Sequence, residues 1–271
     1  MKTNISFGLL AAVLVVSASS FAAESDHSGH SGASGHKSGL GRPLPPGWEP
    51  AIHDPLFRTF TLIDRAEFRA GDTEDAAILD AEGWIGGDYN RLWWKAEVEQ
   101  LTQSPKNGEF EISALYGRLF SPFWDFQTGL RLDRTYSGPE NETRGHFVVG
   151  VEGLAPYWFE VTPAIAISDR GKLSFTFTAT YELLLTQRLV LQPRVDLRLD
   201  AEKPDEAQGF IGEGSNDFDF GLRLRYDIRR RFSPYLGVEW HRPIGASSGV
   251  ARRAGKGGWQ TAFVLGLRTW F

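Results

Sequence analysis

The segment that decides the fold runs Leu173-Ser174-Phe175-Thr176-Phe177-Thr178-Ala179-Thr180-Tyr181-Glu182-Leu183-Leu184-Leu185. Leu173, Phe175, Phe177, Ala179, Tyr181, Leu183 and Leu185 fall on one parity, and Ser174, Thr176, Thr178, Thr180 and Glu182 on the other. Strict alternation of this kind is the signature of a strand with one apolar and one polar face; a period of 3.6 would scatter the polar residues through the apolar side. The pattern returns in Leu191–Ala201, where Leu191, Val195, Leu197 and Leu199 alternate with Gln192, Arg194, Asp196, Arg198 and Asp200. It returns again in Phe218–Ile228, with Phe218, Phe220, Leu222, Leu224, Tyr226 and Ile228 set against Asp219, Arg223, Arg225 and Asp227.

Working outward from these segments, we read about twelve strands: 58–70, 78–87, 90–100, 109–120, 124–133, 144–154, 157–168, 173–186, 189–201, 216–229, 233–241 and 259–271. Ten residues at about 3.3 Å each, tilted by about 45°, rise about 23 Å, which matches the apolar band of an outer-membrane barrel. Strands of soluble domains average only about five or six residues. The expected fold is therefore all-β, a transmembrane antiparallel up-and-down β-barrel of about twelve strands. A lipocalin-like or sandwich fold is the soluble rival.

Composition agrees. The 271 residues include no Cys, 30 Gly and 13% aromatic residues, and no apolar run is long enough for a membrane helix. With 29 basic and 34 acidic residues the formal charge is -5, which gives no electrostatic case for nucleic acid. Residues 1–22 resemble a secretory signal peptide: Lys2, the apolar stretch Phe7–Val16, then Ser20-Phe21-Ala22 as a small-x-small cleavage site. Cleavage there removes Lys2 and no acid, leaving 28 basic residues against 34 acidic ones.

Residues 23–57 read as a flexible tail and linker rich in His, Ser, Gly and then Pro (Pro43, Pro45, Pro46, Pro50), ahead of a barrel over 58–271. His27, His30 and His36 gather within ten positions, with His53 further on. Imidazole suits Cu(II), Ni(II) or Zn(II), and a mobile chain can bring several rings to one ion. A polar Ser/Gly tail carrying incidental histidines is the alternative.

Counted from a periplasmic N-terminus, the odd connections include Gly71–Ala77, Leu101–Gly108, Arg134–Thr143, Asp169–Lys172, Glu202–Ser215 and Arg242–Gly258, most of them long. The even ones, Asp88-Tyr89, Ser121–Phe123, Ala155-Pro156, Gln187-Arg188 and Arg230–Phe232, are short. Long outer loops alternating with short periplasmic turns are expected of an outer-membrane barrel. Tyr89, Trp93, Trp94, Phe123, Trp124, Tyr157, Trp158, Phe232 and Tyr235 crowd the short turns as an interfacial girdle would. The chain ends on Phe271 with Phe263, Leu265 and Leu267 on the same face, the kind of terminal strand read by barrel-insertion machinery.

Several strings resemble the outer-membrane copper resistance protein B family. The most specific is Asp80-Ala81-Glu82-Gly83-Trp84-Ile85-Gly86-Gly87-Asp88-Tyr89-Asn90-Arg91-Leu92-Trp93. Others are Pro122–Asp125, Gly153–Glu160, Leu183–Leu189 with Gln192–Arg194, and Phe232–Tyr235. The resemblance spans about 56–271 and implies an outer-membrane barrel in copper homeostasis or resistance in a Gram-negative bacterium, with its tail in the periplasm. Its implied partners are copper ions, outer-membrane lipid and periplasmic copper-handling proteins. Family members usually carry a Met- and His-rich N-terminal region, whereas Met1 is the single methionine here. Thioether selects Cu(I), so its absence moves the expected tail chemistry to Cu(II) on His27, His30 and His36.

Inside the barrel, the expected inward set mixes both signs: Arg65, Glu67, Asp80, Glu82, Lys95, Glu97, Asp125, Arg131, His146, Glu152, Glu160, Glu182, Arg194, Asp196, Arg198, Arg223, Arg225, Glu239 and His241. An ion-pair network filling a narrow lumen is the plain reading; a polar ion path using His146 with Glu152, or Glu239 with His241, is the functional one. Gly245-Ala246-Ser247-Ser248-Gly249 matches G-x-S-x-G, but an outer loop with no helix after it is the wrong setting for a nucleophile. Asn141-Glu142-Thr143 is expected in an outer loop. The chain is expected to bind rather than catalyse. The competing readings are a general small-solute channel or structural barrel, and an outer-membrane lipid hydrolase.

Overall fold

The computed structural model describes residues 57–72, 74–104, 107–137, 140–201, 216–245, 247–253 and 257–271. These belong to the compact unit Pro55–Phe271. The expected signal peptide and the tail with His27, His30, His36 and His53 lie outside the described residues.

The strands are β1 (Arg58–Gly71), β2 (Ala76–Gly86), β3 (Asn90–Leu101), β4 (Asn107–Ser121), β5 (Trp124–Ser137), β6 (Glu140–Ala155), β7 (Phe159–Ser168), β8 (Leu173–Thr180), β9 (Leu183–Leu184), β10 (Leu189–Asp200), β11 (Asp217–Tyr226), β12 (Phe232–Pro243) and β13 (Gln260–Trp270), with a short helix α1 (Ser247–Arg253) before the last. Each is antiparallel to its neighbours, and β13 returns to pair with β1 in register Phe68↔Leu265. Both β8 and β9 pair with β10, so they form one interrupted stave of a closed twelve-stave barrel. The interruption divides the segment that fixed the fold, yet Tyr181 N–H still donates to the Pro193 carbonyl at 3.1 Å. Closure leaves no sheet edge, as a barrel in lipid requires.

Apolar residues of one parity stay exposed around the barrel, including Leu130 at 67% and Phe263 at 68%. Residues of the other parity fill the interior. Two girdle assignments are corrected: Trp93 and Tyr235 are buried inside, at 6% and 5% exposure, because their parity is that of Lys95 and Glu239. Trp93 packs against Leu115, Trp84 and Ala164 in an internal cluster. Tyr89, Phe123, Tyr157 and Trp158 are exposed at the short-turn end as expected.

The hairpins also differ from the sequence reading. β5 and β6 pair up to Ser137↔Glu140, so Asn141-Glu142-Thr143 lies in a strand. Above an apolar band nothing stops two strands from pairing further, since each added rung satisfies two backbone groups. Three of the connections expected to be long are shortened by such added pairing, Asp169–Lys172 keeps its expected bounds, and length concentrates in the connections between β10 and β11 and between β12 and β13. The turn expected at Ala155-Pro156 is centred on Tyr157 and Trp158, with φ of 67° and 69°. Two successive left-handed residues match a type I′ hairpin turn, usually given to Asn-Gly, so this aromatic pair holds a strained backbone.

Close strand approach is made by glycine. A Cβ on Gly266 would lie 2.5 Å from Tyr235 Oη and 2.7 Å from Glu67 Cβ, at the junction of β1, β12 and β13. Overpacking costs about 1–3 kcal/mol, so Gly266→Val is expected to lower the temperature at which the folded barrel loses its fast gel migration. Gly145→Ala, where a Cβ meets nothing within 4 Å, leaves that temperature unchanged.

Candidate functional site

Alternation sends one polar row from every stave into the interior, and one irregularity adds to it. Register slips between Ile63 and Ala66 against β13, and between Ile63 and Arg65 against β2. The bulge lets consecutive Asp64 and Arg65 both line the cavity. Strict parity would have sent Asp64 to lipid, and sequence reasoning missed it. An acid on the apolar parity beside an alternating run was the available signal.

The interior is a cavity of 650 Å³ reaching from Glu74, Asn107 and Tyr136 near the loop end to Glu152, Glu160 and Arg268 near the short-turn end. Fourteen acidic and seven basic side chains line it. Arg194 on β10 reaches across: Nη1 donates to Asp64 at 3.0 Å, Nε to Asp196 at 2.7 Å, and Nη2 sits 3.7 Å from Asp80. Three staves separate β10 from β1, so the first of these ties spans the lumen. Arg65 holds Asp80 at 3.1 Å and Glu97 at 2.9 Å. Arg198 sits 3.5 Å from Glu109 on β4, with β5, β6, β7 and the β8–β9 stave between them.

Below this belt Lys95 Nζ donates to Glu152 at 2.5 Å, and Arg91 to Asp125 at 2.9 Å. Arg268 and Arg225 share Glu182, at 2.6 and 2.8 Å. Beside it Glu67 is fully enclosed, taking Arg223 at 2.9 Å and the Tyr235 hydroxyl at 2.9 Å, while Arg223 also donates to Glu239 at 2.8 Å. Arg69 bridges Glu239 and Glu99. Most of the expected inward set lines the cavity, while Glu67, Asp125, His146, Arg223 and Arg225 are buried beside it and Glu182 is exposed. Asp64, Arg69, Glu74, Glu99, Glu109, Glu111, Asp217, Asp219 and Arg268 also line it and were absent from the expected set.

The proposed ligand pairs are not brought together. Nδ1 of buried His146 lies 3.4 Å from Asp133, while Glu152 is held by Lys95 and Gln127. His241 Nδ1 is 2.6 Å from Asp219 and its Nε2 is 3.8 Å from Asp217, while Glu239 belongs to the arginine network. Among the described residues no group of three His, Cys, Asp or Glu side chains is arranged to hold a metal ion.

The G-x-S-x-G segment needs correction, since α1 begins within it, at Ser247. Ser247 nevertheless is only 1% exposed, and its Oγ accepts a hydrogen bond from the Asn216 N–H at 2.6 Å. The hydroxyl fastens the loop end of β11 to the β12–β13 connection.

Arg194→Ala is expected to unfasten β10 from β1 and β2 and to raise single-channel conductance in planar bilayers. Loss of one cation should also shift the reversal potential toward greater cation preference. Unchanged conductance would show that Arg194 does not limit the lumen.

Comparison with known proteins follows the same outline. Residues 57–271 match the family described as "Copper resistance protein B precursor (CopB)". The chain is 37% identical over 221 residues to copper resistance protein B of Escherichia coli, covering 82% of this chain and 72% of that one. It is 35% identical over 220 residues to the copper resistance protein B homolog of Pseudomonas syringae pv. tomato, covering 81% and 72%. The NanC porin shares the fold, with TM-score 0.50 at 11% identity over 78% of this chain and 98% of that one. Family and fold together make this an outer-membrane barrel. The chain belongs to the copper resistance protein B family.

Proposed function

We propose that the protein serves copper resistance by binding copper and letting it enter the barrel lumen, without catalysis. The observation that carries this reading is the lining of the cavity, where carboxylates outnumber basic groups by fourteen to seven. Each arginine consumes carboxylate partners, but the excess leaves a field that draws cations in and holds anions out. Carboxylate oxygen accepts Cu(II) along with other divalent ions, so selectivity has to come from elsewhere. The tail supplies it in this reading: His27, His30 and His36 capture Cu(II) on the periplasmic side, where copper-handling proteins deliver or remove it. His53, His146 and His241 are further imidazoles along the chain, each able to add a nitrogen donor to a passing ion. A general small-solute channel would need only the lumen.

Two measurements separate these readings. Copper titration of the mature protein against a variant with His27, His30 and His36 changed to Ala should show a loss of bound Cu(II). Equal stoichiometry would remove the tail from the mechanism. Proteoliposomes holding a copper-responsive dye should fill with copper faster than protein-free vesicles, and faster than with Mg(II) as competitor. Equal rates for all divalent ions would favour the general channel.

A further inference from the structure

The short-turn end carries a charged patch that neither the lumen network nor copper chemistry uses. The connection between β9 and β10 ends on Arg188, and the connection between β11 and β12 reads Asp227-Ile228-Arg229-Arg230-Arg231. The Asp227 N–H donates to the Arg188 carbonyl at 2.8 Å, which joins the two connections side by side. Arg188, Arg229, Arg230 and Arg231 are all exposed. Asp227 does not neutralise them, because Arg225 inside the lumen holds its carboxylate at 3.0 Å. Among the described residues no carboxylate lies within salt-bridge distance of any of the four.

The patch is held in place from its underside. Trp270 Nε1 donates to the Arg230 carbonyl at 2.7 Å, and Thr269 Oγ1 to the Arg231 carbonyl at 2.6 Å. The Arg231 guanidinium lies 5.1 Å from the centre of the Trp270 ring. Exposed Leu184, Leu185, Ile228 and Phe232 flank the arginines. Apolar side chains next to a row of fixed cations are the order of groups met on leaving the acyl chains for the headgroups of a leaflet. Anionic headgroup phosphate matches guanidinium in charge and in its bidentate hydrogen bonding.

We propose that Arg188, Arg229, Arg230 and Arg231 form a binding site for the headgroup of an anionic phospholipid, in the leaflet at the short-turn end. The site would hold one lipid phosphate against a barrel segment whose backbone is fixed by Trp270 and Thr269. It rests on the outer-membrane location and is independent of the copper reading.

The test uses the full mature protein in phosphatidylcholine bilayers, with spin-labelled phosphatidylglycerol or spin-labelled phosphatidylcholine as probe. Wild type should retain phosphatidylglycerol at its surface about threefold over phosphatidylcholine at low salt, falling to about parity in a variant with all four arginines changed to Gln. Arg252→Gln with Arg253→Gln, on the opposite end, should keep the preference. If the fourfold variant does not show the fast gel migration of a folded barrel, Arg188→Gln with Arg230→Gln replaces it, and about half the preference should be lost. No preference in wild type, or one that survives the loss of these arginines, overturns the site.

Discussion

Arg194 is the side chain on which the interior depends. A guanidinium keeps its charge at any accessible pH, so an arginine enclosed by a barrel has to be faced by carboxylates. Arg194 finds Asp64, Asp80 and Asp196, of which only the last shares its strand. Satisfying one charge therefore ties β10 to β1 and β2 across the lumen. Removing one partner of such a pair costs about 3–5 kcal/mol through the charge left behind. The same requirement organises Arg223 with Glu67 and Glu239, Arg65 with Asp80 and Glu97, and Lys95 with Glu152. The lumen is narrow because its cations hold acids from different staves.

Rings and glycines settle what those charges leave open. A Cβ on Gly117 would lie 2.5 Å from Trp93 Nε1, and one on Gly83 would lie 2.7 Å from Trp94 Nε1. Each indole covers a glycine on the neighbouring strand, filling the space that a missing side chain would leave. Trp93 faces inward and Trp94 outward, so one pair of adjacent residues braces both surfaces of the β2–β3–β4 segment. The string Asp80–Trp93 that carries the family resemblance is thereby explained in physical terms. It supplies two lumen acids, a tight turn, and Gly83 and Trp93, one partner in each of the two aromatic–glycine contacts that join the three strands.

Much of this was legible in the sequence because alternation is local. Leu173–Leu185 and Leu191–Ala201 announce their faces without reference to any other strand, and inward residues such as Arg194 and Glu239 follow from parity alone. Partnership is a different matter. Nothing in the sequence says that Arg198 meets Glu109, because their strands stand far apart around the barrel and the distance depends on strand stagger. Asp64 was lost to a bulge, which shifts parity by one residue without changing composition. Trp93 and Tyr235 were misplaced because aromatic content near a turn suggested an interface, while their parity pointed inward. The short helix at Ser247–Arg253 was missed because seven residues in a glycine-containing loop show no helical periodicity.

The arrangement of charge also bears on storage against passage. A store needs several ligands converging on one ion; conduction needs binding strong enough to admit an ion and weak enough to release it. The described lumen residues offer dispersed carboxylates, many engaged by arginine, and His146 and His241 stand with different acids rather than with each other. In the proposed passage of copper, an ion would exchange one arginine-bound carboxylate for the next, so each step breaks an ion pair while making another. Such exchange favours a cation over an anion, since only the cation can take the place that a guanidinium vacates. In the proposed reading the lumen therefore lets cations move, and recognising copper is left to the nitrogen ligands proposed for the tail, because carboxylate oxygens accept many divalent ions alike.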